Sequence, residues 1–370
     1  MTAKRRCSRF LVLAGFIAAA IFLLSSQAAA LRFVVYGDSR GNTETNIINT
    51  EVFSEINKII LTLQPQPEMV IFCGDSVRRG SEANFVTWLE LTKPLTDRGI
   101  KLYLAIGNHE LYKATGAYDE ESGAVDLDNQ KAFQKVFDFL PTSGPDDDHK
   151  HLAYTFTSAD GDSLFAVLAA YYVDPQTLKE YSGDLDPIQL DWVKKELDKS
   201  TATHKFVFAH RPIYAWDGGE PPASLKELWQ SMDQNRVDIY FSGHWHLYSR
   251  KTIDKKIDPS YLHDVVQVID GSCGAPLSSP ESGKGKLYRD WHVKFTYNFS
   301  VVDVKDGRVK VKSYGAHFWQ KSSPIPVFSL IDSFTRKTPV SQTAYREGSK
   351  EVNSWPSFGW AVSRLSQALY

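Results

Sequence analysis

The sequence predicts an α/β fold with a mostly parallel sheet in its first third, and two observations carry that reading. Strand-like and helix-like stretches alternate between residues 33 and 106, the order in which β-α-β units are built. Five apolar runs, at residues 33–36, 69–73, 101–106, 206–209 and 237–241, lead directly or within two residues into glycine or histidine and then polar side chains. In open α/β sheets ligands bind beyond the carboxyl ends of the strands, so side chains far apart in sequence can meet there. The converging set is Asp38, Asp75, Asn108, His210, His244 and His246, with His109 beside it.

Each element has its own signal. The first run leads into Gly37-Asp38-Ser39-Arg40-Gly41-Asn42, a turn-rich segment. Ile48, Val52, Ile56, Ile59 and Leu63 then recur at helical spacing until Pro65 stops them. A second helix at about 82–91 buries Phe85, Trp88 and Leu89, and the third strand closes on Gly107-Asn108-His109-Glu110, with Glu110 expected to cap or orient. Residues 111–152 read as an acidic loop, a helix with Phe133, Val136, Phe137 and Leu140 on one face, and a second acidic loop whose His149 and His151 are expected to be solvated. Residues 154–157 and 163–169 flank Ala159-Asp160-Gly161-Asp162 as a hairpin. Asp186-Pro187 starts a helix with Leu190, Val193 and Leu197 on its apolar face. A helix around 225–232, strands into His244 and at 265–269, and a hairpin turning at Asp306-Gly307 complete the pattern, which fades beyond about residue 318.

Composition bounds the function classes. With 370 residues, 42% of them hydrophobic and 13% aromatic, the chain can bury a sizeable core. Its start differs: Lys4, Arg5, Arg6 and Arg9 precede an apolar stretch at 10–24 and then Ser25-Ser26-Gln27-Ala28-Ala29-Ala30. This resembles a secretory signal cleaved after Ala30, with an uncleaved N-terminal membrane anchor as the alternative; either way the body is exported, to the periplasm or beyond the cell. Residues 1–30 hold four of the 42 basic side chains and none of the 44 acidic ones, leaving the remainder at a net charge of −6. That excludes a gross attraction to nucleic acid or anionic lipid. Cys73 and Cys273 form either one disulfide or two buried thiols, and no Cys-rich metal pattern is present.

Carboxylate, amide oxygen and imidazole together suit Zn, Fe or Mn rather than the all-oxygen shell of Ca or Mg. Asp75 is the candidate bridge, since one carboxylate can give an oxygen to each of two ions. Tyr36, Arg211, Tyr214 and Trp245 are candidates to line the pocket, whereas His204, His263, His292 and His317 have no such setting.

Gly37-Asp38, Gly74-Asp75 with Gly80, Gly107-Asn108-His109-Glu110, His210 and Gly243-His244-Trp245-His246 resemble, in order, the five motifs of the calcineurin-like metallophosphoesterases, the group that includes purple acid phosphatases. The resemblance implies a four-layer α-β-β-α sandwich of two mixed sheets over 31–318, with 319–370 as an extension. It also implies a phosphate monoester or diester as a small phosphorylated substrate, hydrolysed by metal-activated hydroxide. Asp75, Asn108, His210 and His244 would hold one divalent ion, Asp38, Asp75 and His246 a second, and His109 would serve as general acid. One departure stands out: Asp38-Ser39-Arg40 replaces the family's Asp-x-His, and a guanidinium has no lone pair for a metal. The outcome is a weakened second site, a single ion, or an Arg40 that grips phosphate; the rival reading is a non-catalytic metal- and phosphoryl-binding protein. Arg78, where the family often has an acidic or amide residue, costs only an outer partner.

Overall fold

A computed structural model describes residues 31–43, 45–112, 125–215, 220–279, 291–316 and 326–337, all within one unit that ends near Thr338. The expected signal or anchor at 1–30 and the final residues of the extension lie outside the described residues.

Strand β1 (Leu31–Tyr36) is the spine of the first sheet. It pairs in parallel with β4 (Met69–Phe72), which pairs in parallel with β5 (Lys101–Leu104) at the edge. On its other side it runs antiparallel to β15 (Tyr297–Lys305), followed by β16 (Arg308–Ala316) and β17 (Phe328–Lys337). The second sheet has the order β14 (His292–Lys294), β12 (Tyr248–Ile253), β13 (Val265–Asp270), β11 (Ile239–Ser242), β10 (His204–Ala209), β7 (Ser163–Leu168) and β6 (Tyr154–Thr157). Its centre, from β13 through β7, is parallel, and its edges are antiparallel. Two small hairpins, β2 (Arg40–Thr43) with β3 (Asn46–Ile48) and β8 (Tyr171–Val173) with β9 (Glu180–Ser182), lie outside the large sheets.

The sheets meet through aromatic side chains. The Phe33 ring of β1 touches Phe165, Phe206, Phe208 and Phe241 of β7, β10 and β11, with centroids 5.2–6.4 Å apart. On the outer face of β1 and β4, Tyr36 and Phe72 pack on Phe53 of α1 (Thr50–Thr62) and Trp88 of α2 (Glu82–Thr96). Both faces of these strands are therefore buried, as their unbroken apolar runs require. Phe133 of α4 (Leu127–Val136) extends that helical layer, after the short α3 (Asn108–Leu111). Over the second sheet lie α5 (Pro187–Lys199), capped by the Asp186 carboxylate on the Gln189 N–H, and α6 (Ala223–Gln234), whose Trp229 packs on Tyr240. The expected four layers are present.

Three local expectations need correcting. Residues 40–43 form a strand rather than only a turn, and Ile48 belongs to its hairpin partner. The sheet does not stop near residue 318: β17 adds a strand whose residues are all exposed or half-buried, so it carries no apolar period to read. His149 and His151 are buried, not solvated. His149 lies between the Asp146 and Asp186 carboxylates (2.6 and 2.9 Å) and stacks on Tyr172, and the His151 ring donates to the Leu140 carbonyl. Cys73 and Cys273 are buried free thiols.

Candidate metal centre

Strands β1, β4 and β5 are parallel in one sheet and β10 and β11 in the other, and the loops that follow them bring Asp38, Asp75, Asn108, His210 and His244 together. Asp38, Asp75 and His244 each follow a glycine and hold φ of 61°, 56° and 70°, a left-handed backbone that costs a side-chain-bearing residue about 1–2 kcal/mol. Side-chain bonds hold these turns. Asp38 accepts the His244 N–H on both oxygens (3.2 and 3.0 Å), and Asp75 Oδ1 accepts the His109 N–H (3.0 Å). Close approach explains two glycines, because a Cβ at Gly107 would strike the Asp75 carboxylate and one at Gly243 the Asp38 carboxylate. Glu110 orients, as the sequence suggested: it accepts from the N–H groups of Asp75, Ser76 and Gly107 at 2.6–2.9 Å.

On one side of Asp75, four donor atoms converge. His210 Nε2 lies 3.2 Å from Asp75 Oδ1 and 3.1 Å from Asn108 Oδ1, and His244 Nδ1 lies 3.2 Å from Asn108 Oδ1 and 3.3 Å from His210 Nε2. Tetrahedral ligands about 2.0–2.1 Å from an ion stand roughly 3.4 Å apart. Hydrogen bonds set their lone pairs: the His210 Nδ1–H donates to the Cys73 carbonyl, and the Asn108 amide donates to the Tyr112 hydroxyl, leaving Nε2 and Oδ1 facing inward. The donor types, a carboxylate, an amide oxygen and two imidazoles, suit a divalent transition-metal ion. His244 adds a condition, since Arg211 Nη1 stands 2.9 Å from its Nε2. An ion on Nδ1 leaves the ring proton on Nε2, where two donors cannot face each other, so the half-buried Arg211 must swing away.

The other side differs. Asp38, Asp75 and His246 offer three donor atoms within 4.8 Å of one another, and the His246 Nδ1–H donates to the Pro276 carbonyl. The Arg40 guanidinium is already there: Nη2 donates to His246 Nε2 at 3.4 Å and Nε lies 3.7 Å from Asp75 Oδ2. A divalent ion among those atoms would share them with a unit positive charge, a repulsion set against the pull of the Asp38 and Asp75 carboxylates. With three donors and a guanidinium bonded among them, this set takes an ion only if Arg40 moves aside.

Charges follow the same division. Burial alone would depress His210, but Asp75 and Asp38 outweigh it and lift its pKa to about 9. Burial opposes charge on Asp75 as well, yet His210 and His109 hold it well below the usual carboxylate range. Burial pushes Asp38 well above that range. His244 is held well below the usual imidazole value by burial and by His210 and Arg211, and His246 falls to about 3 through burial and Arg40. An ion at the four donors takes the place of the His210 proton, which would be released on binding.

His109 lies beside Asp75, its Nε2 3.9 Å from Oδ2 and its Nδ1 bonded to the Arg78 carbonyl (2.7 Å), so the backbone of residue 78 orients it. Burial outweighs the pull of Asp75 and brings its pKa to about 4, so a proton on Nε2 belongs to acidic conditions or to a ring facing a phosphate dianion. Of the suggested lining residues, Arg211 reaches the site. Tyr36 does not: its hydroxyl bonds Asn57 on the helical side. Tyr214 pairs with Tyr261, and Trp245 packs beside Leu247 and Ile269. Two residues had escaped notice, Tyr171, whose hydroxyl is 3.4 Å from His244 Nδ1, and Tyr112. Tyr171 lies just beyond the end of β7, so the strand-end rule would have found it.

Comparison with known proteins agrees with this fold. The fold is shared with a purple acid phosphatase from yellow lupin (Lupinus luteus), at 19% identity, TM-score 0.60 and coverage of 91% of this chain and 58% of that one. It is shared with PhoD at 12% identity, TM-score 0.61 and coverage of 85% and 70%, and with GAP50, described as the anchor in the inner membrane complex of Plasmodium, at 16% identity, TM-score 0.52 and coverage of 90% and 99%. The chain thus spans little more than half of the lupin enzyme. No curated protein sequence matches it. Among the described residues no helix is long and apolar enough to cross a membrane. The calcineurin-like phosphoesterase profile matches residues 31–248, most of the chain and all the residues gathered around Asp75, and the protein belongs to that family.

Proposed function

We propose that the protein is an exported, metal-dependent phosphoesterase that hydrolyses a small phosphate monoester, with diesters as a secondary substrate class. The observation that carries the reading is the gathering of Asp75, Asn108, His210 and His244 at the strand ends, donor types that suit one Mn, Fe or Zn ion once Arg211 leaves His244 and His210 gives up its proton. When bound, such an ion draws charge from phosphoryl oxygens and acidifies water. The chain's own groups do the rest. Arg211, displaced from His244, offers a planar pair of N–H donors to the phosphate, and Arg40 offers a second cation from the opposite side. His109 is the proposed proton donor to the leaving oxygen, with Asp75 favouring its charged form. Glu110 keeps the Asp75 and Gly107 turns rigid while charge moves.

The test is hydrolysis of p-nitrophenyl phosphate by protein stripped with a chelator and then reloaded with Mn²⁺, Zn²⁺ or Fe²⁺. Turnover should vanish on stripping, return on reloading, and fail to return in His210→Ala. Inorganic phosphate binding without turnover under every metal would replace this reading with the non-catalytic phosphoryl-binding one. Export is tested separately, by the N-terminal sequence of protein recovered from outside the cytoplasm, expected to begin at Leu31.

A further inference from the structure

We infer that the Arg40 guanidinium stands in for the second metal ion, so that the working centre is one divalent cation on Asp75, Asn108, His210 and His244 opposite one fixed organic cation. The inference rests on the phosphoesterase reading above and deepens it.

Three observations carry it. Arg40 is held from its backbone outward: its N–H donates to the Asp75 carbonyl, the residue belongs to β2, and its side chain is only 8% exposed. Its guanidinium touches two of the three groups that would bind a second ion, donating to His246 Nε2 and facing Asp75 Oδ2. His246 can accept that bond because its own proton is committed to Pro276. The Nε of Arg40 is buried without a hydrogen-bond partner. A buried N–H left open beside a carboxylate is costly unless a ligand oxygen completes it, and a phosphoryl oxygen is the acceptor a guanidinium suits best. Asp38 keeps its place in this scheme by fixing the His244 N–H, a structural duty that needs no second ion.

This explains why the loss of an imidazole at position 40 need not abolish the site. One positive group has been exchanged for another at the same carboxylate. The centre would carry less total charge than a two-ion site.

The experiment counts ions per chain by elemental analysis after saturation with Mn²⁺ and removal of free ion, in wild type, Arg40→His and Arg40→Ala. One ion in wild type and two in Arg40→His is the expected result, with Arg40→Ala weakening inhibition by inorganic phosphate at least tenfold. Two ions in wild type, or one in both wild type and a folded Arg40→His, would overturn the inference and leave the phosphoesterase reading standing. No ion in wild type would overturn that reading and this inference with it. If Arg40→His fails to fold, the wild-type count and the phosphate inhibition of Arg40→Ala decide the matter: unchanged inhibition contradicts the role given to Arg40.

Discussion

The two sides of the Asp75 carboxylate share a residue, a depth of burial and a set of strand ends, and yet they are built for different occupants. Oδ1 lies 3.2 Å from His210 Nε2, which in turn stands beside Asn108 Oδ1 and His244 Nδ1. Oδ2 faces the Arg40 guanidinium and, slightly farther off, His109. The lesson is that a ligand set is defined as much by what already stands among its atoms as by the atoms themselves. Asp38, Asp75 and His246 lie close enough to hold a cation, and by distance alone they would count as a second site. The Arg40 guanidinium already stands among those atoms, and an ion there would have to displace it.

Substitutions at the centre separate the two sides. Asp75→Asn should do the most damage, because it removes the charge both sides share: ion content near zero and kcat/KM lower by roughly 10³-fold, read by elemental analysis and a phosphatase assay. A variant that kept its ion would show that the bridge has been misassigned. His109→Ala should slow hydrolysis of an alkyl phosphate by about 10²-fold and of p-nitrophenyl phosphate by much less, because a good leaving group needs no proton. Equal losses on both substrates would remove His109 from that role. His246→Ala separates the two sides most cleanly. It should leave the ion count unchanged and lower activity about tenfold as Arg40 loses its acceptor; loss of the ion itself would place His246 among the true ligands.

The smallest effect lies away from the centre and serves as its control. His149 is buried between Asp146 and Asp186; burial opposes its charge, but those carboxylates raise its pKa, while that of Asp186 is lowered. A raised histidine pKa contributes stability that is complete below its unfolded value, about 6.5, and is lost as pH rises through the folded value. The lowered Asp186 contributes above its unfolded value, about 3.9, and is lost as pH falls through its folded value. Between about pH 4 and 6.5 both terms are present, so His149→Gln should cost about 1.5–3 kcal/mol there, and less at pH 8. Denaturant midpoints across pH read this directly, and ion content should not change.

The six converging residues were legible because strand ends are marked twice, by the close of an apolar run and by glycine. Gly37, Gly74 and Gly243 announce turns in which the next residue is forced to positive φ. The layers were legible because β1, β4 and β10 are apolar on both faces. What could not be read was placement across space. That Arg40 has no metal lone pair is plain from its chemistry, but that its guanidinium lies between Asp75 and His246 depends on the β2–β3 hairpin, which has almost no apolar period. His149 and His151 looked solvated because their neighbours are acidic, and burial came from the Asp186 carboxylate and the Leu140 carbonyl, distant in sequence. Strand β17 was not legible because its core-packed Phe328, Ile331 and Phe334 recur every third residue across a register shift instead of alternating.

The account rests on one ion lying on the Oδ1 side of Asp75, and anomalous diffraction from crystals grown with Mn²⁺ measures that position. A single peak within about 2.3 Å of Asp75, Asn108, His210 and His244 is the expected result, with Arg40 still against Asp75 Oδ2. A peak among Asp38, Asp75 and His246, with Arg40 turned away, would contradict it.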